Sequence, residues 1–137
     1  MKKSDILIIS IVFMLILSLV FINTLNNKDE YTIQLIVNNE YIDTIYFDND
    51  CEYEIKSNNN FIYIYKNDVL IKTIDSKKEI YNKIIVNDGV IIMKDANCVG
   101  RDCTRMHLSK DYLRPIICTN NVIVKIEYQK QDVDITT

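Results

Sequence analysis

One stretch constrains this chain more than any other. After Met1-Lys2-Lys3-Ser4-Asp5, an uncharged run starts at Ile6 and ends at Ile22, and only Ser10 and Ser18 interrupt its apolar character. At about 1.5 Å per helical residue the run spans roughly 25 Å, and the uncharged flank to Leu25 extends it to about 30 Å, the thickness of a bilayer core. A helix packed on a soluble core carries a polar stripe at the 3.6-residue period, and this run has none. It reads as a membrane span or a signal peptide. Secretory signals have a core of roughly 7–15 residues and a small-residue cleavage site. Here the run is longer, Leu19-Val20-Phe21-Ile22-Asn23 offers no such site, and no Cys follows closely to accept a lipid. The expectation is an uncleaved anchor in the lipid bilayer, with a cleaved signal as the alternative. Lys2 and Lys3 precede the span, which puts the N-terminus in the cytoplasm and the remaining chain outside.

Composition narrows the rest. The 137 residues include two Gly and one Pro, which excludes collagen-like and low-complexity chains. Gly89 and Gly100 stand too far apart for a phosphate-binding loop. The formal charge is −3; removing Lys2, Lys3 and Asp5 leaves 14 basic and 18 acidic residues, a net −4 for the outer part. That sign disfavours nucleic acid as a partner.

From Tyr31 the pattern changes to period two. Residues 31–37, 41–47, 51–55, 61–65, 69–74, 84–86, 90–94 and 122–128 read as short strands rich in Ile, Tyr and Val. Their close spacing predicts an all-β antiparallel sandwich or barrel-like domain. Asn87-Asp88-Gly89 is the strongest hairpin signal, and Asn-rich turns serve elsewhere. Residues 76–81 and 106–113 are expected to form short helical turns, and the polar tail 130–137 to fray. Residues 36–42 and 64–70 echo one another, which convergence of an Ile/Asn-rich composition explains more simply than duplication.

Three of the four cysteines cluster: Cys98-Val99-Gly100-Arg101-Asp102-Cys103, then Ile116-Ile117-Cys118 fifteen residues on. The strand–turn–strand over 85–94, with its Gly89 turn, precedes them. This arrangement resembles the NusG domain II family, a module that occurs as an insert in some NusG transcription factors and alone behind a membrane anchor, chiefly in Firmicutes. The resemblance covers about residues 61–127. The family commonly has Pro after the first Cys, Gly soon after the second, and Leu-Pro-Asn after the third; this chain has Val99, Thr104-Arg105-Met106 and Thr119-Asn120-Asn121 there. The resemblance implies a compact all-β domain without established catalysis; in NusG the domain has been linked to nucleic-acid contact. The expected organisation is residues 1–27 as cytoplasmic N-terminus and anchor, 28–60 as an additional β-hairpin region, 61–129 as the domain II-like unit and 130–137 as tail.

An oxidising exterior favours a structural disulfide among Cys98, Cys103 and Cys118, with buried reduced thiols and a redox or metal site as alternatives. Cys51 is then the odd cysteine, a small buried strand residue. His107 completes a tetrahedral donor set with the three cysteines on paper, but the spacing matches no familiar zinc module, and an exposed loop His is preferred. His107, Ser109 and Asp111 lie too close in one loop for a hydrolytic triad, and no nucleophile elbow is present. Asp43, Asp48, Asp50, Glu52 and Glu54 read as a solvated acidic face, weak calcium binding being the alternative. No catalytic residue and no cofactor is expected. The functional expectation is a non-enzymatic, extracytoplasmic binding or accessory module of a membrane or envelope complex. The alternatives are a thiol redox or metal protein and, second, nucleic-acid contact.

Overall fold

The hydrophobic pattern divides the chain at about residue 30, and so does the computed structural model, which describes residues 3–25 and 31–128. The tail 130–137, Lys2 and the boundary at 27/28 lie outside the described residues. Helix α1 (Lys3–Leu25) contains an apolar span, Ser4–Ile22, whose described side chains are exposed all round. The Ser18 hydroxyl donates to the Leu15 carbonyl at 2.8 Å, so it is satisfied within the helix. A hydroxyl on a helix face without water would be satisfied in the same way.

The second unit is two antiparallel sheets. One has the order β2-β1-β10-β9, from β1 (Tyr31–Val37), β2 (Glu40–Ile45), β9 (Ile116–Cys118) and β10 (Val122–Tyr128). The other has the order β5-β4-β3-β6-β7-β8, from β3 (Cys51–Asn58), β4 (Phe61–Lys66), β5 (Val69–Asp75), β6 (Tyr81–Asn87), β7 (Val90–Ala96) and β8 (His107–Ser109). Alternation along the strands sends Ile33, Leu35, Val37, Val122 and Val124 of the first sheet into one core with Tyr53, Ile55, Ile62, Ile64, Ile84 and Ile91 of the second. The product is a β-sandwich, as the period-two pattern requires.

Four hairpins close with two central residues at positive φ: Asn38-Asn39, Asn59-Asn60, Asn67-Asp68 and Asp88-Gly89. Positive φ at both positions is the type I′ signature, whose twist matches that of the flanking strands. Asn and Asp tolerate this region, so a ten-strand unit needs only one hairpin glycine, Gly89 at φ +74°.

Three expectations change. The strands of 28–60 are not appended: β1 lies between β2 and β10, and β3 between β4 and β6, so a boundary at 60/61 has no counterpart in the strand pairing. Residues 76–80 form no helix. They carry the chain from the edge strand β5 past the ends of β4 and β3 to β6, and Ser57 fixes them through Ile80: the Ile80 amide donates to Ser57 Oγ at 2.8 Å. Residues 106–113 are the short strand β8 and a turn; the helical piece is a 3₁₀ turn just upstream, Asp102–Arg105.

A polar tie joins the sheets. Asp43 on β2 accepts from Tyr53 Oη on β3 and from Lys66 Nζ on β4, both at 2.7 Å. Burial pushes the Asp43 carboxyl up, but the Lys66 and Tyr53 hydrogen bonds, the Lys66 charge and the Thr44 amide outweigh it and hold it below its ordinary range. A depressed carboxylate stabilises the fold fully above its unfolded-chain pKa of about 3.9, and that contribution is lost as pH falls through the lower folded value. In urea titrations the wild-type midpoint is therefore expected to fall more steeply below about pH 4 than that of Asp43→Asn. Parallel acid limbs would remove Asp43 from this role.

Candidate functional site: a buried three-cysteine cluster

The chain leaves β7 at Ala96 and must turn sharply to reach β8. Gly100 at φ +80° and Arg101 at φ +54° make that turn, and the 3₁₀ turn Asp102–Arg105 completes it. Cys98 and Cys103 thereby face each other, with Sγ atoms 3.4 Å apart. Cys118 arrives from the opposite sheet, at the end of β9. The three sulfurs all lie within 4.8 Å of one another, and the residues are 8%, 2% and 3% exposed. Arg101 pairs with Asp95 on β7, which pins the outer wall of the loop.

A set of buried amides backs the sulfurs. Asn82, fully buried on β6, donates through Nδ2 to Cys118 Sγ at 3.2 Å and Met93 Sδ at 3.3 Å. Its Oδ1 accepts from Asn120 Nδ2 at 2.9 Å. Asn120 also donates to Asn97 Oδ1 at 2.8 Å, and Asn97 Oδ1 accepts the Tyr81 amide at 2.9 Å. This network joins β6, the β7–β8 loop and the β9–β10 turn. No residue of this network stands out along the chain except by position: Asn82 shares the inward face of β6 with Ile84 and Val86.

The thiols are unequal. Burial pushes the Cys98 thiol up, but hydrogen bonds involving Cys103, Cys118, the Arg101 backbone and Thr119 outweigh it and leave Cys98 below the ordinary thiol value. Burial, and the hydrogen bonds and charges of Cys118 and Cys98, push Cys103 well above that value. Of these two, Cys98 is the sulfur better suited to carry negative charge.

The other candidates lie elsewhere. Cys51 sits on β3, half-buried beside Tyr53, and burial raises its thiol. His107 is exposed on β8 and does not join the sulfurs; its ring stacks on Tyr112 at 4.7 Å. Ser109 pairs through its backbone with Tyr112. The acidic residues do not converge on one point: Asp43 is bound to Lys66 and Tyr53, Asp48 pairs with Lys110, Asp50 accepts the Asp88 amide, Glu52 pairs with Lys83 and Glu54 with Lys56.

No protein-family model matches this sequence, and no curated protein matches it. Among solved structures, the chain is similar to a DUF1312 family protein from Enterococcus faecalis V583. The TM-score is 0.50 and the identity 25%, over 72% of this chain and 97% of that one.

Proposed function

We propose that this chain is a single-pass membrane protein whose β-sandwich works outside the cytoplasm as a non-enzymatic binding or accessory module. The observation that carries the reading is the helix Ser4–Ile22, apolar and exposed on every side and followed in the chain by a sandwich with its own closed core. Such a helix needs an apolar solvent, and the lysines before it set the orientation. The partner would be a membrane or envelope protein. Membership of the NusG domain II family is part of the same reading, supported by the Cys98, Cys103 and Cys118 spacing. Nucleic-acid contact is the weakest alternative, because the outer part carries net charge −4 from 14 basic and 18 acidic residues.

Protease added to intact cells is the direct test. Digestion of residues beyond the helix, with a cytoplasmic marker spared, is the expected result. Protection of the sandwich in intact cells, with cleavage only after lysis, would overturn the orientation. Recovery of the protein alone after crosslinking in native membranes would overturn the accessory role.

A second reading has its own observation. Three buried sulfurs converge within 4.8 Å, which suits a thiol redox or metal site as well as a structural disulfide.

A further inference from the structure

We propose that Cys98, Cys103 and Cys118 form a three-sulfur site for a soft d10 cation, and that monovalent copper is the ion that fits it. The inference rests on reading the cluster as working thiols, and it adds the ligand class. Around a metal at a thiolate bond length of about 2.3 Å, three sulfurs in a trigonal plane stand about 4.0 Å from one another. Here the Cys98–Cys103 pair stands at 3.4 Å and every pair lies within 4.8 Å. Modest expansion of the short pair, with the others adjusting by less than an ångström, reaches the trigonal arrangement. A disulfide would use two of these sulfurs and leave the third packed against the bond. A metal uses all three.

The donor set selects the ion. Thiolates favour Cu(I) and Zn(II) over magnesium, calcium or manganese. Zinc in a structural site takes four ligands. Among the described Cys, His, Asp and Glu residues only these three converge, and the ring of His107 is stacked on Tyr112 instead. The nearby Met93 thioether, which shares the Asn82 amide with Cys118, is itself a soft donor of the kind Cu(I) accepts. Three-coordination suits Cu(I), which needs no fourth donor.

The surroundings suit thiolates. Asn82 Nδ2 donates to Cys118 Sγ at 3.2 Å, and Asn120 holds the Asn82 carboxamide in the orientation that aims this N–H at the sulfur. Hydrogen bonds from groups around the ligands orient them and tune their basicity in metal sites generally. The loop that carries Cys98 lies at the surface: Val99, beside it, is 93% exposed. Binding displaces thiol protons to solvent, so affinity rises with pH until the ligands are deprotonated.

The test uses the full chain in detergent, reduced and oxygen-free, titrated with Cu(I) against a competing chromogenic chelator. The expected result is one Cu(I) per chain and an X-ray absorption spectrum with three sulfur neighbours at about 2.3 Å. Cys98→Ser and Cys118→Ser, which remove direct ligands, should each weaken binding by more than the roughly 10–100-fold that losing an outer-shell partner costs, while Cys51→Ser and His107→Ala leave it unchanged. Far-UV circular dichroism checks that the serine variants fold; if they do not, the wild-type absorption spectrum decides. No bound copper, a nitrogen ligand in the spectrum, or an equal loss in Cys51→Ser would overturn the proposal. In the first case, mild oxidation with diamide separates the two readings. A disulfide within the cluster sinks the metal site and leaves the thiol reading standing; inert cysteines sink both.

Discussion

Tyr53→Ala is expected to lower the stability of the sandwich by about 3–5 kcal/mol, the range for deleting a fully buried aromatic side chain. Tyr53 is 0% exposed and stands on the central strand β3. Its ring fills the space between the sheets and its hydroxyl reaches Asp43 on the other sheet at 2.7 Å. The Lys66 ammonium lies 5.3 Å from the ring centroid and also binds Asp43. Truncation therefore opens a cavity and removes a donor from a partly buried carboxylate. Tyr53→Phe separates the two effects: it keeps the ring, loses only the hydrogen bond to the Asp43 carboxylate and should cost about 1.5–3 kcal/mol. Urea unfolding followed by far-UV circular dichroism gives both values. An Ala variant within about 1 kcal/mol of wild type would mean that Tyr53 does not fill this core.

The second large effect is expected at Asn120. Asn120→Ala removes the donor to Asn82 Oδ1 and one donor to Asn97 Oδ1. Asn97 keeps the Tyr81 amide, but Asn82 is fully buried and its oxygen loses this partner. A stranded buried acceptor costs about 1–3 kcal/mol, and the lost hydrogen bonds bring the expected total to about 2–3 kcal/mol. Replacing Asn82 by Leu as well removes the stranded oxygen. The double variant should therefore lose less than the sum of the two single losses. A strictly additive cycle would show that the two amides do not act as one network. The same network holds the Cys118 sulfur, so the cycle also bears on the cysteine cluster.

Much of the architecture was legible along the chain because its signals are local. Alternation on β1 and β10 follows from side chains pointing to opposite faces at successive positions, and both strands have the expected limits, 31–37 and 122–128. Gly89 was legible as a turn because Asp-Gly satisfies positive φ at adjacent positions. The short strands β8 and β9 were not. Each has three residues, too few to display a period, and each exists because a longer neighbour, β7 or β10, offers an unpaired edge. The helical expectation for 76–81 failed for a related reason: the chain there must cross the ends of two strands, β4 and β3, to reach β6.

The cysteine cluster divides in the same way. The residue types and the tight Cys98–Cys103 spacing are properties of the chain, and they already marked the segment. Chain position and the family resemblance both grouped Cys118 with them, but the meeting itself depends on sandwich packing, because Cys118 lies on a different sheet. His107 shows the converse: it is nearer to Cys103 in sequence than Cys118 is, yet β8 carries its ring to Tyr112. The sequence alone determined the apolar helix, the all-β class and the type I′ turns, since each depends on residues within a few positions of one another. Only the tertiary structure decided that β1 and β3 lie inside their sheets, that three sulfurs meet, and that Asn82 and Asn120 support them. Those outcomes depend on which sheet faces which, and burial of apolar surface by the whole unit selects that pairing.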